Sequence, residues 1–458
     1  MGTTLKPKST LFEKIIYGIG GAGSQFVWTF MSMYMTVYYT NSVGIAAAVA
    51  GTMMLVARLL DGVSDLLFSW VIKRCHFKLG KIRPWFLICA PLLGISLIAC
   101  FNVPASLSEA GTVVYIYITY SFTAAVSYTI YNLAASAILP IMSYDEQDRV
   151  TLSSSYMFLL MGGVMVLVYL SPILLGLWGG QAELGAWSKL SVVYAIVVTV
   201  TVALMGIFIK EKEMPEELLE DHKEQATVGN RKAMSYMDIL KIVLKNPYTW
   251  ILLGMFTFYY LASGCAGINA YFWMYIHGDF AMTSYSTSSL LCNVANLIMI
   301  LLTPFFAGKI GTKRFVIGGL VFYLAVSVGM IFTARSVIGT MVLMALKTLG
   351  MAPITAVIYS FVADLTDVVA QKTNGENPSE VVSMCSSIGT KIGSGVGAAL
   401  VGWCLTWVGW NAVETVQTTA TQNGIIGVFI GLPAAALLIC LIFVCIWNPK
   451  KGQKKERV

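Results

Sequence analysis

Charge is scarce in this sequence. Asp, Glu, Lys and Arg supply 12% of its 458 residues, against about a quarter in soluble globular chains, while 57% of the residues are hydrophobic. With so few charges the chain cannot cover itself with a water-facing surface, and it reads as a membrane protein. Histidine is scarcer still, with only His76, His222 and His277, all in or near polar segments. No Walker A, GxSxG or HExxH sequence is present, which excludes an ATP-driven pump and the familiar hydrolases, so no enzyme activity is expected. The nine cysteines (Cys75, Cys89, Cys100, Cys265, Cys292, Cys385, Cys404, Cys440 and Cys445) lie nearly all inside apolar runs without metal-ligand spacing, so they read as small core residues and no cofactor is expected. The N-terminus lacks a short apolar core followed by a cleavage site, and Lys6 stands where an acylation signal needs Ser or Thr, so neither a removable signal peptide nor a lipid anchor is expected.

What is present is a series of long apolar runs. Twelve can be counted, at about 14–39, 46–72, 85–103, 111–140, 151–177, 189–209, 247–276, 284–308, 315–335, 337–363, 380–409 and 423–447. Each can cross a hydrocarbon core of roughly 30 Å as a helix, and lipid leaves no other way to satisfy the backbone. The fold class is therefore an all-α membrane protein with twelve transmembrane helices. The one long polar segment, 210–246, divides the twelve six and six, which predicts an N-terminal six-helix bundle at 1–209, a middle loop, a C-terminal six-helix bundle at 247–447 and a tail at 448–458. Of the 30 Lys and Arg residues, 25 fall in the termini or in loops that follow even-numbered helices. The positive-inside rule then puts both termini and the middle loop in the cytoplasm of a multi-pass protein of the cell inner (plasma) membrane, and it accounts for the +7 net charge without nucleic acid. A similar turn recurs in the two halves, "FKLGKIRP" after the second run and "GKIGTKRF" after the eighth, with Gly80 and Gly311 in corresponding places. Internal symmetry of this kind points to two parallel repeats with a substrate site near the midplane.

Charge inside the runs is then the informative feature. "ARLLDGVSDLLFSW", residues 57–70, puts Arg58, Asp61, Ser64 and Asp65 on one helix face, spanning about 120° at roughly 100° per residue. Each charge there costs roughly 2.5–3.5 kcal/mol at a helix centre, so such residues normally face a cavity and act in it. Arg58 paired with one Asp would be a structural ion pair, but one arginine does not neutralise two carboxylates. Two adjacent carboxylates suit a hard monovalent cation, and their mutual repulsion raises the proton affinity of at least one, so Na⁺ and H⁺ compete for such a site.

The stretches "YGIGGAGSQF", "YYTNSVGIAAAVAGTMMLVARLLDGVSD", "KLGKIRPW", "YTIYNLAASAILP" and "VADLTD" resemble signatures of the glycoside–pentoside–hexuronide:cation symporters. That branch of the major facilitator superfamily includes the melibiose and glucuronide permeases. The resemblance implies the major facilitator fold of two six-helix bundles and sugar uptake coupled to downhill Na⁺, Li⁺ or H⁺. It also implies that Asp61 and Asp65 carry the cation (Na⁺ in the metal case), with Ser64 between them and Thr129 completing the site, and Lys391 matches the family's helix 11 lysine; Arg58 and Lys391 are read as a charge network in which Lys391 approaches the carboxylates. The sugar site departs from the melibiose pattern: Gln25 and Asn132 stand where that permease has two carboxylates, Tyr156 where it has an arginine, and Thr355 where it has a tryptophan. The segment "QKTNGENPSEVV" after the tenth run departs as well.

Sugars need amide and hydroxyl partners and aromatic faces, which makes Gln25, Trp28, Tyr128, Asn132, Asn269, Trp273 and Ser387 candidates for the cavity lining; for Trp28 and Trp273 helix packing is an equal alternative. Lys347 in "MALKTLGMAP" is a departure from the family. With Arg58 and Lys391 it gives three positive charges inside helices against two negative ones, Asp61 and Asp65, so one positive charge is left to meet a substrate carboxylate, to titrate or to reach water. Gly389, Gly393 and Gly397 recur every fourth residue, a stripe suited to close helix contact. Two functions stand at this stage. One is cation-coupled symport of a glycoside or uronide by a monomer in the bilayer; the other is uncoupled facilitation of another small polar solute, with the helix 2 charges serving structure.

Overall fold

A computed structural model of the chain describes residues 8–75, 77, 79–212, 236–278, 283–370, 378–412, 414 and 416–448. Part of the expected middle loop (213–235), the segment 371–377 and the tail from 449 lie outside the described residues. Among the described residues no strand occurs beyond an isolated bridge from Phe77 to Gly80. The chain divides into two compact units, Met1–Gly229 and Asn230–Val458.

Unit 1 contains α1 (Leu11–Val37), α2 (Ala47–Arg74), α3 (Arg83–Cys100), α4 (Glu109–Met142), α5 (Glu146–Leu177) and α6 (Leu184–Phe208). Unit 2 opens with the short amphipathic α7 (Tyr236–Lys245). It continues with α8 (Pro247–Ile276), α9 (Thr283–Ile310), α10 (Thr312–Thr333), α11 (Val337–Ala370), α12 (Ser379–Trp407) and α13 (Thr419–Ile446). Twelve of these are long enough to span a bilayer, and ten pass on apolarity as well. The two that do not are α1, rich in Gly and carrying Ser24 and Gln25, and α2, which carries Arg58, Asp61 and Asp65. The least lipid-like helices are thus those with the polar residues singled out above. Several helices outrun the apolar runs that mark them. α11, 34 residues or about 51 Å long, continues through Asp364 and Asp367, because a helix entering water needs no apolar side chains.

The recurring glycine turns have a common construction. Gly80 and Gly311 both adopt positive φ, +122° and +89°, in the turns that lead into α3 and α10. Past each, a basic side chain reaches the C-terminal carbonyls of the unit's last helix: Arg83 donates to Gly206 O (3.3 Å) and Ile207 O (2.8 Å), and Lys313 to Cys445 O (2.8 Å) and Trp447 O (2.7 Å). Those carbonyls have no intrahelical partners and carry the negative end of the helix dipole, so a cation there is favourable. Unit 1 adds a second tie. The Glu211 carboxylate accepts the backbone N–H groups of Lys81, Ile82 and Arg83 at 2.7–2.9 Å, capping α3, and a Cβ on Gly80 would meet Glu211 Oε1 at 2.6 Å.

The same polar end of unit 1 is clamped by charge. Lys14 pairs with Asp148 at 2.6 Å, the N–H and hydroxyl of Ser9 donate to Asp148, and Lys8 pairs with Asp145, which caps α5. Lys212 bonds to Lys8 O and lies 3.6 Å from Glu13. Burial alone would raise the Asp148 carboxyl, but Lys14 and Ser9 hold it well below the usual carboxylate range. Its contribution is therefore complete above the ordinary value of about 4 and is lost as pH falls below it. Asp148→Asn, which leaves Lys14 without its anion, should lower stability by on the order of 3 kcal/mol near neutrality and flatten the acid limb of the melting curve. Thermal melting of both proteins across a pH series checks this; identical profiles would remove the clamp from the account.

Candidate functional site

The face of α2 predicted from helical spacing is realised, and α4 supplies its partner. Arg58, Asp61, Ser64 and Asp65 are all half-buried. Thr129 Oγ1 donates to Asp61 Oδ1 at 2.7 Å, while Ser64 Oγ turns back to donate to Asp61 O at 3.0 Å. Thr129 is placed by an interruption that sequence periodicity did not reveal, a π-helical segment within α4, Thr123–Ser127, ending one residue before Tyr128. Such bulges re-aim the side chains that follow them and occur frequently at functional sites. Within the segment Ala124 O also faces the Thr129 hydroxyl, at 3.2 Å. One proton thus has two acceptors, a carboxylate and a carbonyl. The set of carboxylate, hydroxyl and carbonyl oxygens suits a hard cation.

Arg58 does not take either carboxylate. It forms no ion pair and no hydrogen bond among the described residues. Its guanidinium lies over the Trp28 ring, 3.8 Å from the centroid, and Trp28 in turn stacks on Tyr128 at 4.7 Å and 21°. This three-layer stack joins α1, α2 and α4. One turn away, Gln25 is buried and accepts from Thr29 at 2.9 Å. Tyr131, absent from the candidates drawn from sequence, donates to Gly20 O at 3.1 Å and meets Tyr156 OH at 3.3 Å, while Tyr156 stacks on Tyr17 at 4.4 Å. Asn132 is exposed. Gln25, Trp28, Arg58, Tyr128 and Tyr156 therefore fall together on α1, α2, α4 and α5, with the Asp61–Thr129 pair beside them, and Asn132 follows Tyr128 by one turn of α4.

The candidates of unit 2 are more dispersed. Thr355 accepts from Tyr259 OH at 2.8 Å, Asn269 and Lys391 are half-buried, and Ser387 is exposed. Trp273 is fully buried between Phe272 and His277, which is the packing alternative weighed for it; its ring offers no free face to a solute. Lys347 is 9% exposed, and its ammonium lies over the rings of Tyr323 (4.8 Å) and Phe429 (5.7 Å), with no hydrogen bond or ion pair among the described residues. Aromatic faces from α10 and α13 surround the ammonium for which charge balance left a substrate carboxylate, titration or water as the alternatives.

Comparison with known proteins agrees with this architecture. Residues 16–448 match the family described as MFS/sugar transport protein. The isoprimeverose transporter of Lactiplantibacillus pentosus is 26% identical over 97% of this chain and 90% of its own length. The inner membrane symporter YicJ of Escherichia coli K12 is 26% identical over 94% and 90%. Among solved structures, a bacterial homolog of the human lysosomal transporter Spinster superposes with a TM-score of 0.69 at 14% identity, covering 96% of this chain and 98% of that one. The nucleoside transporter NupG superposes with a TM-score of 0.63 at 14% identity, covering 95% and 100%. These structural matches carry the fold alone.

Proposed function

We propose, for a chain that belongs to the MFS/sugar transport protein family, that its activity is uptake of a glycoside or hexuronide by symport with a monovalent cation, Na⁺, Li⁺ or H⁺, through alternating access. The relatives named as an isoprimeverose transporter and a symporter support a sugar cargo and coupling. The observation that carries the reading is the Asp61–Thr129 pair on the half-buried polar face of α2, beside the aromatic and amide side chains of α1 and α4. Asp61 and Asp65 supply the charge that draws the cation, and Thr129 supplies a neutral oxygen. When a cation takes the Asp61 carboxylate, the Thr129 hydroxyl keeps its proton and directs its hydrogen bond to Ala124 O, leaving a hydroxyl lone pair for the ion. Lys391 on α12 belongs to the coupling network on the strength of the family resemblance. The protein works as a monomer in the plasma membrane, with both termini cytoplasmic.

Uptake of labelled glycosides and uronides into vesicles, with and without an imposed Na⁺ or H⁺ gradient, tests the reading directly. Accumulation above the external concentration that collapses with the gradient is expected. Equilibration at the same rate under all gradients would favour the uncoupled facilitator. Thr129→Val keeps shape but removes the hydroxyl, so it should raise the cation concentration for half-maximal uptake by roughly 10-fold or more, the effect of losing one hydrogen-bonding partner of a charged group. An unchanged cation dependence would remove Thr129 from the site.

A further inference from the structure

Resting on the symport reading above, we infer that Arg58, seated over the Trp28 ring, is the anchor for a carboxylate on the transported sugar, which makes the cargo a uronide. Arg58 and Lys347 both lie well inside membrane helices, and neither has a hydrogen bond or an ion pair among the described residues. They differ in what surrounds them. Lys347 is buried among α10 and α13 rings at 9% exposure, and an ammonium has no preferred plane. Arg58 is half-buried. Its guanidinium is planar, and its N–H edge has no hydrogen-bond acceptor among the described residues. That edge presents paired donors in the geometry of a carboxylate. The contact with Trp28, itself stacked on Tyr128, restrains the side chain in advance, so less side-chain freedom is left to lose on binding. Gln25 and Asn132 lie on the neighbouring helices α1 and α4 and provide amide groups of the kind that recognise sugar hydroxyls.

The placement also links cargo to cation. Asp61 lies one turn from Arg58 on the same face, so with the cation site vacant an incoming carboxylate meets negative charge beside its anchor. A bound cation cancels one unit of that charge. Affinity for a uronide should therefore rise with saturating cation, by about 5–150-fold if coupling is of the usual size, and affinity for the matching neutral sugar should rise less.

Methyl β-D-glucuronide and methyl β-D-glucoside, compared in the wild type and in Arg58→Gln, Arg58→Lys, Trp28→Leu and Lys347→Met, test this. Wild type should take the glucuronide preferentially. Arg58→Gln should lose that uptake by on the order of 10²-fold with a much smaller effect on the glucoside, and Arg58→Lys should recover part of the difference. Trp28→Leu should lower the same ratio, and Lys347→Met should leave it unchanged. Direct binding of the two sugars to purified protein gives the ratio for any variant that no longer transports. Preference for the glucoside in wild type, equal loss of both sugars in Arg58→Gln, or a selective loss confined to Lys347→Met would each overturn the assignment. Coupled uptake of neutral glycosides without the glucuronide would overturn this inference and leave the symport reading standing; uptake of neither sugar under any gradient would overturn both.

Discussion

Asp61→Asn is expected to abolish accumulation of sugar against its gradient while leaving exchange of sugar across the membrane measurable. The substitution keeps the shape of the side chain and an oxygen for the Thr129 hydroxyl, now 2.7 Å from Oδ1, so the packing of α2 against α4 survives. It removes the charge. A monovalent ion that must shed water needs a full anion in return, and Ser64 cannot substitute, because a hydroxyl oxygen supplies a ligand but no charge. Without ion binding the two fluxes separate, and the free-energy link between sites, typically 1–3 kcal/mol, drops to zero. Reconstituted vesicles should show gradient-driven uptake reduced by on the order of 10²-fold or more, with counterflow within a few-fold of wild type. Sugar affinity should become independent of Na⁺ and H⁺. Asp65→Asn should behave alike if both carboxylates share the ion. Wild-type accumulation in the Asp61 variant would refute the proposed cation site.

The features of the fold that arise within one helix were readable from the residues. Lipid forces a helix wherever an apolar run is long enough, and helical spacing fixes which side chains share a face, so the clustering of Arg58, Asp61, Ser64 and Asp65 followed from arithmetic. The glycine turns were readable for a similar reason. Positive φ at Gly80 and Gly311 is a local demand that few other residues meet, and the demand recurs because the construction recurs. What one helix does to another was not readable. Nothing in "ARLLDGVSD" tells that Arg58 stacks on Trp28 thirty residues earlier instead of pairing with Asp61 three residues later. The π segment ahead of Tyr128 was hidden as well, since an extra residue in one turn changes no composition, yet it sets the direction of Thr129. Charge counting located Lys347 as anomalous but could not supply its neighbours, two rings from distant helices.

Gly393→Ala is expected to disrupt unit 2, although it adds a single methyl group. A Cβ on Gly393 would lie 2.2 Å from Thr257 O and 3.0 Å from Leu261 N, and one on Gly397 would lie 2.3 Å from Leu261 O. The contact is reciprocal, since a Cβ on Gly264 would meet Ser394 O at 2.6 Å. These opposing atoms are backbone of α8 and α12, which cannot rotate aside as a side chain would, so the two helices must part along the whole stripe. In lipid there is no hydrophobic force to press them together again. Helix association there depends on the close dispersion and backbone contacts that small residues permit, and separating the pair forfeits many at once. A loss of about 3 kcal/mol or more follows for the alanine, at the upper end of overpacking effects, and failure to yield a folded protein for Gly393→Leu. Gly427→Ala on α13 is the matched control. Its added Cβ meets nothing within 4 Å, and alanine's better helix propensity should leave stability unchanged or raise it by up to about 1 kcal/mol. Thermal melting of the solubilised proteins separates the two, and equal melting temperatures would refute the close-contact account of the stripe. Because Lys391 lies two residues before Gly393 on α12, parting of the helices should also displace that lysine, so transport in Gly393→Ala should fall by more than the loss of folded protein alone explains.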